Sequence, residues 1–285
     1  MNALLVIAAI LTLSLQNLTK KDYSVRSRGG ATFIFSAISC FAACLFFLVS
    51  SGFSLKFDEK IIPYVILFSL SYGTAVAFSF LAIKTGSLSV SSLIASFSLI
   101  VPTLYGLLVF GEEVSVFFYI GLGLLAISLV LINLKKDEEK KAVTLLWIIS
   151  VILCFLGNGM CSTVQAVQQK DFVGEYKNEL MIFSLVFVGL VLLVISFVTE
   201  RGEIRSSLKL GAHDMVICGV ANGVTNLLIM ILVGRMNTSL MYPLVSGGNI
   251  IITAIASIFL YKEKLTRNQL IGLLIGVGAI VFMNI

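Results

Sequence analysis

LMIFSLVFVGLVLLVISFVT, residues 180–199, is twenty residues without a charge, closed at both ends by a glutamate, Glu179 and Glu200. An α-helix rises about 1.5 Å per residue, so this stretch is about 30 Å long, the thickness of the hydrocarbon core of a bilayer. A charge at the centre of that core costs about 2.5–3.5 kcal/mol even on the lenient insertion scale. The rest of the chain repeats the pattern. Its 35 charged residues sit in nine short islands, and the stretches between them run 1–19, 29–55, 61–83, 85–111, 114–134, 142–169, 180–199, 215–234, 236–261 and 268–285. The expected fold is all-α and integral to the membrane, with ten transmembrane helices.

Composition agrees. The chain is 58% hydrophobic and 12% charged, with a mean hydropathy of +1.05, whereas soluble domains are about a quarter charged. The longest islands, 170–179 and 200–214, are too short to fold alone, so function belongs to the bundle or its mouths. The stretch 1–19 lacks a basic leader and a small-residue cleavage site, and reads as the first span. All five cysteines lie within predicted spans, where they read as small hydrophobes.

The KKDEEKK island, 135–141, divides the spans five and five. Shifting the chain by 151 places Lys84 on Arg235, Glu112 on Glu263, Ser115 on Thr266, Gly121 on Gly272 and Asn133 on Asn284; a shift of 149 places Gln16 on Gln165 and Lys21-Asp22 on Lys170-Asp171. Only nine of 54 positions are identical between 81–134 and 232–285, but the matching polar residues fall at matching span boundaries. The expected organisation is a first five-helix repeat at 1–134, a charged linker at 135–141 and a second repeat at 142–285. Five is odd, so the second repeat enters the membrane from the opposite side, the inverted arrangement that supports alternating access in secondary transporters.

The run Phe80-Leu-Ala82-Ile-Lys84-Thr-Gly-Ser, then Pro102, then Gly111-Glu112-Glu-Val-Ser115 and Gly121, resembles the first-half signature of EamA-type members of the drug/metabolite transporter superfamily. Tyr261-Lys-Glu263-Lys-Leu265-Thr-x-x-Gln269-x-x-Gly272 resembles the second half. Thr253 stands where a counterpart of Pro102 is expected, and the first span lacks the tryptophan often seen there. The resemblance implies a transporter whose pathway is surrounded by spans 1, 3, 4, 6, 8 and 9.

Helical spacing selects the same spans independently. Asn158, Ser162, Gln165 and Gln169 form one stripe on span 6, and Tyr242, Ser246, Asn249 and Thr253 repeat it on span 9. Span 4 carries Ser91, Ser98, Pro102 and Tyr105; span 8 carries Asn222 and Asn226; span 1 carries Thr12 and Gln16, with Lys20 a turn nearer the surface; span 3 carries Tyr72 and Ser79. Spans 2, 5, 7 and 10 are poorer in such stripes. Pro102 is expected to loosen span 4 near Ser98, and Ser246-Gly-Gly-Asn249 to loosen span 9. Gly272-x-x-x-Gly276 marks a close-packing face, open to a homodimer contact. Lys84 and Arg235, alone between consecutive spans, read as interface anchors or as attractors of an anionic solute. Glu112 and Glu263 read as turn or helix-terminus residues, and His213 as solvated.

No Asp or Glu falls within an uncharged stretch, so the sequence offers no buried carboxylate for proton antiport. The amide- and hydroxyl-rich lining suits a small polar or zwitterionic metabolite. The alternative is a non-transporting scaffold or a lipid-translocating accessory protein. An enzyme would need a carboxylate pair, a histidine cluster or an activated nucleophile within the spans. No nucleic acid, metal or organic cofactor is implied, and the expected location is the plasma (inner) membrane of a bacterium. Lys and Arg number 15 in islands after odd-numbered spans and 5 after even-numbered ones, which places both termini outside; the resemblance implies both inside. On the charge count, a cysteine at residue 138 (Glu138→Cys, with the five native cysteines replaced) is shielded from an impermeant maleimide in intact cells. Labelling there reverses the orientation.

Overall fold

The computed structural model describes residues 2–27, 30–85, 88–133, 144–261 and 266–284, with the backbone alone at 88, 89, 257 and 261. The linker 135–141 and Glu263 lie outside the described residues. Among those described there are eleven α-helices and no strand: α1 (Asn2–Ser27), α2 (Thr32–Ser50), α3 (Ile62–Thr85), α4 (Leu88–Ser96), α5 (Ile100–Leu108), α6 (Val116–Asn133), α7 (Leu145–Asp171), α8 (Lys177–Thr199), α9 (Ile204–Val233), α10 (Thr238–Tyr261) and α11 (Arg267–Met283). A 3-10 turn, Phe97–Leu99, joins α4 to α5 into one span. Among the described residues nine spans are long and apolar enough to cross a bilayer, and α11, at 17 residues, is a shorter tenth.

The break in span 4 falls where Pro102 requires it. Without an amide hydrogen, Pro102 cannot donate to the carbonyl four residues back, that of Ser98, which lies inside the 3-10 turn. Span 9 differs from expectation. α10 runs unbroken through Ser246-Gly247-Gly248-Asn249, because its glycines keep helical backbone and Gly247 packs against Leu125.

The helices gather into two compact units. One comprises 3–73 and 164–234; the other comprises 74–163 and 235–285 with residue 2. Each unit therefore draws on residues before and after 135–141, and α3 and α7 are each shared between the two. In the first unit α2 packs on α8, its counterpart in the other repeat. Glu200 lies at Phe33, Gly189 at Phe41 and Glu179 at Lys56, so the two run antiparallel. α9 lies along α2 in the parallel sense, with Ser39 donating to the Met215 carbonyl at 3.0 Å and Phe46 against Gly223.

In the second unit α6 packs on its counterpart α11. A Cβ on Gly121 would stand 2.8 Å from the Ala279 carbonyl and 2.9 Å from the Met283 nitrogen; one on Gly272 would stand 3.1 Å from the Ser128 carbonyl and 2.9 Å from Ile132. At the shift of 151, Ser128 corresponds to Ala279 and Ile132 to Met283. The same contact is thus made twice, head to tail, as an inverted repeat requires. The Gly272 and Gly276 face is filled here by α6 of the same chain: the Ser128 hydroxyl donates to the Gly272 carbonyl at 2.7 Å. The four spans poor in polar stripes are these two pairs.

Two spans take their N-terminal caps from distant carboxylates. Glu200 accepts from the Phe33 and Ile34 amides of α2 at 2.8 and 3.0 Å. Glu112, in the turn before α6, accepts from the Thr238 and Ser239 amides of α10 at 2.8 and 2.7 Å. Asn237 Nδ2 donates to the Glu113 carbonyl at 3.0 Å beside it. Gly106 makes room, since a Cβ there would meet the Glu112 carboxylate at 2.6 Å. Burial pushes the Glu112 pKa up, but the Ser239 and Thr238 amides outweigh it and hold the carboxyl below the usual glutamate range. A depressed folded-state pKa gives stability that is complete above the unfolded value and lost as pH falls through the folded one. Glu112→Ala is expected to cost about 1–2 kcal/mol, read as a lower melting temperature in detergent at neutral pH. The gap to wild type narrows as the solution is made acidic enough to protonate Glu112.

Candidate functional site

The predicted polar residues divide between the two units. In the first, Gln165 on α7 is buried, and its Nε2 donates to Asn226 Oδ1 on α9 at 2.7 Å. Asn226 Nδ2 in turn donates to Asn222 Oδ1 at 3.1 Å and to the Asn222 carbonyl at 2.8 Å. The three amides thus form a directed chain, Gln165 to Asn226 to Asn222, in which each bond polarises the next. Its two ends, the Gln165 acceptor oxygen and the Asn222 donor nitrogen, have no hydrogen-bond partner among the described residues. A carbonyl at one end and an amide hydrogen at the other can hold a donor and an acceptor of one small solute.

Around this chain α1 is tied to α9. Thr225 donates to Thr12 at 2.8 Å, and the Cys218 thiol lies 3.9 Å from the carbonyl of buried Gln16. Tyr72 stacks on Phe68 one turn away. Gln169 does not join the site, because its amide donates to Gln168 and to the Glu175 carbonyl, closing the turn after α7. Lys20 is exposed on α1.

In the second unit several predicted residues serve helix packing. The buried Tyr242 hydroxyl donates to the Ser162 carbonyl at 2.6 Å, tying α10 to α7. Ser91 accepts from Trp147 Nε1 at 3.0 Å. Asn158 folds back to the Cys154 carbonyl of its own helix at 3.0 Å, and Asn249 accepts from Thr253 at 3.1 Å. Tyr105 meets Phe110 edge-on. Ser98 sits half-buried in the 3-10 turn and Ser246 half-buried on α10. Lys84 ends α3 and Arg235 follows α9, both exposed. Trp147 was missed by polar-stripe reading; being the chain's only tryptophan was its one signal.

One expectation is corrected. The charge-free spans offered no buried carboxylate, yet α9 begins at Ile204, so Asp214, the last charge of the island 200–214, lies inside a helix and is only 2% exposed. Its Oδ2 pairs with the Arg26 guanidinium of α1, which also binds Asp22 at 2.8 Å and the Leu210 carbonyl at 3.1 Å. His213 Nε2 is 3.0 Å from the other Asp214 oxygen while its side chain stays 65% exposed. A 30-residue helix is about 45 Å long, longer than the hydrocarbon core, so α9 carries its first turns and their charges beside α1. There is therefore a buried carboxylate, and it is ion-paired. Among the described residues no cluster of His, Cys, Asp or Glu could hold a metal.

These features meet the comparisons with known proteins. The model of the EamA-like transporter family matches residues 143–285, half of the chain. The chain belongs to that family, and it is a multi-pass membrane protein of a transporter class. Among solved structures 28 chains match. One, described only as a crystal structure of a protein, superposes with a TM-score of 0.78 over 99% of this chain and 98% of its own, at 12% identity. At that identity the likeness shows the fold alone. No curated protein matches.

The amide chain predicts coupling. In a double-mutant cycle with Gln165→Leu and Asn226→Leu, followed by unfolding in detergent, the two substitutions are expected to couple by about 0.6–1.7 kcal/mol. Additive effects would mean that the hydrogen bond carries nothing.

Proposed function

We propose that this chain carries a small polar or zwitterionic metabolite across the membrane by alternating access, along a path lined by the polar stripes of spans 1, 3, 4, 6, 8 and 9. The observation that carries the reading is the Gln165–Asn226–Asn222 chain, whose ends present one acceptor and one donor. An ammonium group suits the Gln165 carbonyl, and a carboxylate or hydroxyl suits the Asn222 amide. Such amides hold a neutral or zwitterionic solute without leaving an unpaired charge in hydrocarbon. The inverted repeat supports the alternating part, since two related halves of opposite orientation exchange roles as access switches.

Transport here does not use a carboxylate that trades protons for solute. Asp214, the buried carboxylate of α9, is committed to an ion pair with Arg26. The rival reading, a non-transporting scaffold or lipid-translocating accessory protein, leaves the amide chain without a use.

A metabolite screen by thermal shift on the purified chain tests the reading. A small polar solute should raise the melting temperature, and Gln165→Leu should abolish the shift, with Asn222→Leu weakening it. In proteoliposomes uptake of that solute should proceed without an imposed pH gradient. A requirement for the gradient would overturn the mechanism, and no response to any polar metabolite would favour the rival.

A further inference from the structure

A furrow of about 500 Å³ lies between α2 and α9, lined entirely by apolar side chains. On α2 it is bounded by Ile38, Leu45 and Val49, and on α9 by Val216 and Val220. Leu45 is 58% and Val216 48% exposed. From Ile38 to Val49 the helix advances eleven residues, about 16 Å, close to half of a hydrocarbon core about 30 Å thick. The furrow has the depth of one bilayer leaflet.

Its polar end is set by the sequence of α9. Arg205, Lys209, His213, Val216 and Val220 follow the spacing of one helical stripe. The first three are exposed and polar, and the furrow opens at Val216, one turn beyond His213. His213 is engaged with Asp214, but among the described residues neither Arg205 nor Lys209 has a partner. Two unpaired cations thus stand at the membrane surface, directly in line with an apolar slot one leaflet deep.

We propose that this furrow seats an acyl chain of an anionic phospholipid, with its phosphate held by Lys209 and Arg205. A neutral lipid fills the slot equally well but forgoes the attraction of the cations. Each basic side chain near the surface contributes about a fivefold preference for an anionic headgroup. The site is separate from the solute-binding amides and does not depend on their role.

Native mass spectrometry of the detergent-purified full chain, with phosphatidylglycerol or phosphatidylcholine added, tests the assignment. The wild type should retain one phosphatidylglycerol in preference to phosphatidylcholine. Lys209→Gln should weaken phosphatidylglycerol about fivefold and leave phosphatidylcholine unchanged. Val220→Trp, at a partly exposed position, should fill the slot and abolish retention while circular dichroism stays that of the wild type. If that variant misfolds, Leu45→Trp blocks the slot from α2. Equal binding of the two lipids, retention by the blocked variant, or a dimer whose furrows carry no lipid would each overturn the proposal.

Discussion

Within hydrocarbon a polar group that lacks a protein partner gets no help from water, and helices gain little from burying apolar surface against one another. This chain meets that constraint by bringing helices close at small residues and bonding them through what is exposed. α6 and α11 approach at Gly121 and Gly272, closely enough for the Ser128 hydroxyl to reach the Gly272 carbonyl. α2 and α9 are joined by Ser39 to the Met215 carbonyl, and α7 and α10 by Tyr242 to the Ser162 carbonyl. In each case one side chain donates to a backbone oxygen of a neighbouring helix. The tightly packed pairs α2–α8 and α6–α11 are also the pairs related by the repeat. The apolar spans thus pack closely on one another, while amides of α7 and α9 bond side chain to side chain.

Much of the fold was legible because charge exclusion is nearly all-or-none. Glu179 and Glu200 bracket α8 closely, and the shift of 151 pairs Gly121 with Gly272, which hold equivalent places in the contact between α6 and α11. Pro102 marked the break in span 4 because a missing amide hydrogen has a fixed consequence. Ser246-Gly-Gly-Asn249 misled because glycine permits a bend without demanding one. The interleaving of the two repeats into two units was invisible, since periodicity identifies the polar face of a helix but not the neighbour that it meets.

The site was half legible for the same reason. Gln165, Asn222 and Asn226 were chosen by spacing and prove to bond one another. Ser91 and Tyr242 were chosen by the same rule and are committed to packing partners. Asp214 escaped because a charge was taken to mark the end of a span. That rule fails where a long helix brings its first turns beside another helix carrying the opposite charge, as α9 does with Arg26.

The doubled contact between α6 and α11 also records how freely this protein can change. In a homodimer of five-helix chains, any substitution at such a contact would be felt on both sides at once. In a single chain the two sides are separate positions. Ser128 and Ala279 occupy equivalent places, but only the serine can donate to the opposing glycine carbonyl. One half of the junction is therefore pinned by a hydrogen bond and the other is held by packing alone, so selection can stiffen one side of the junction without touching the other.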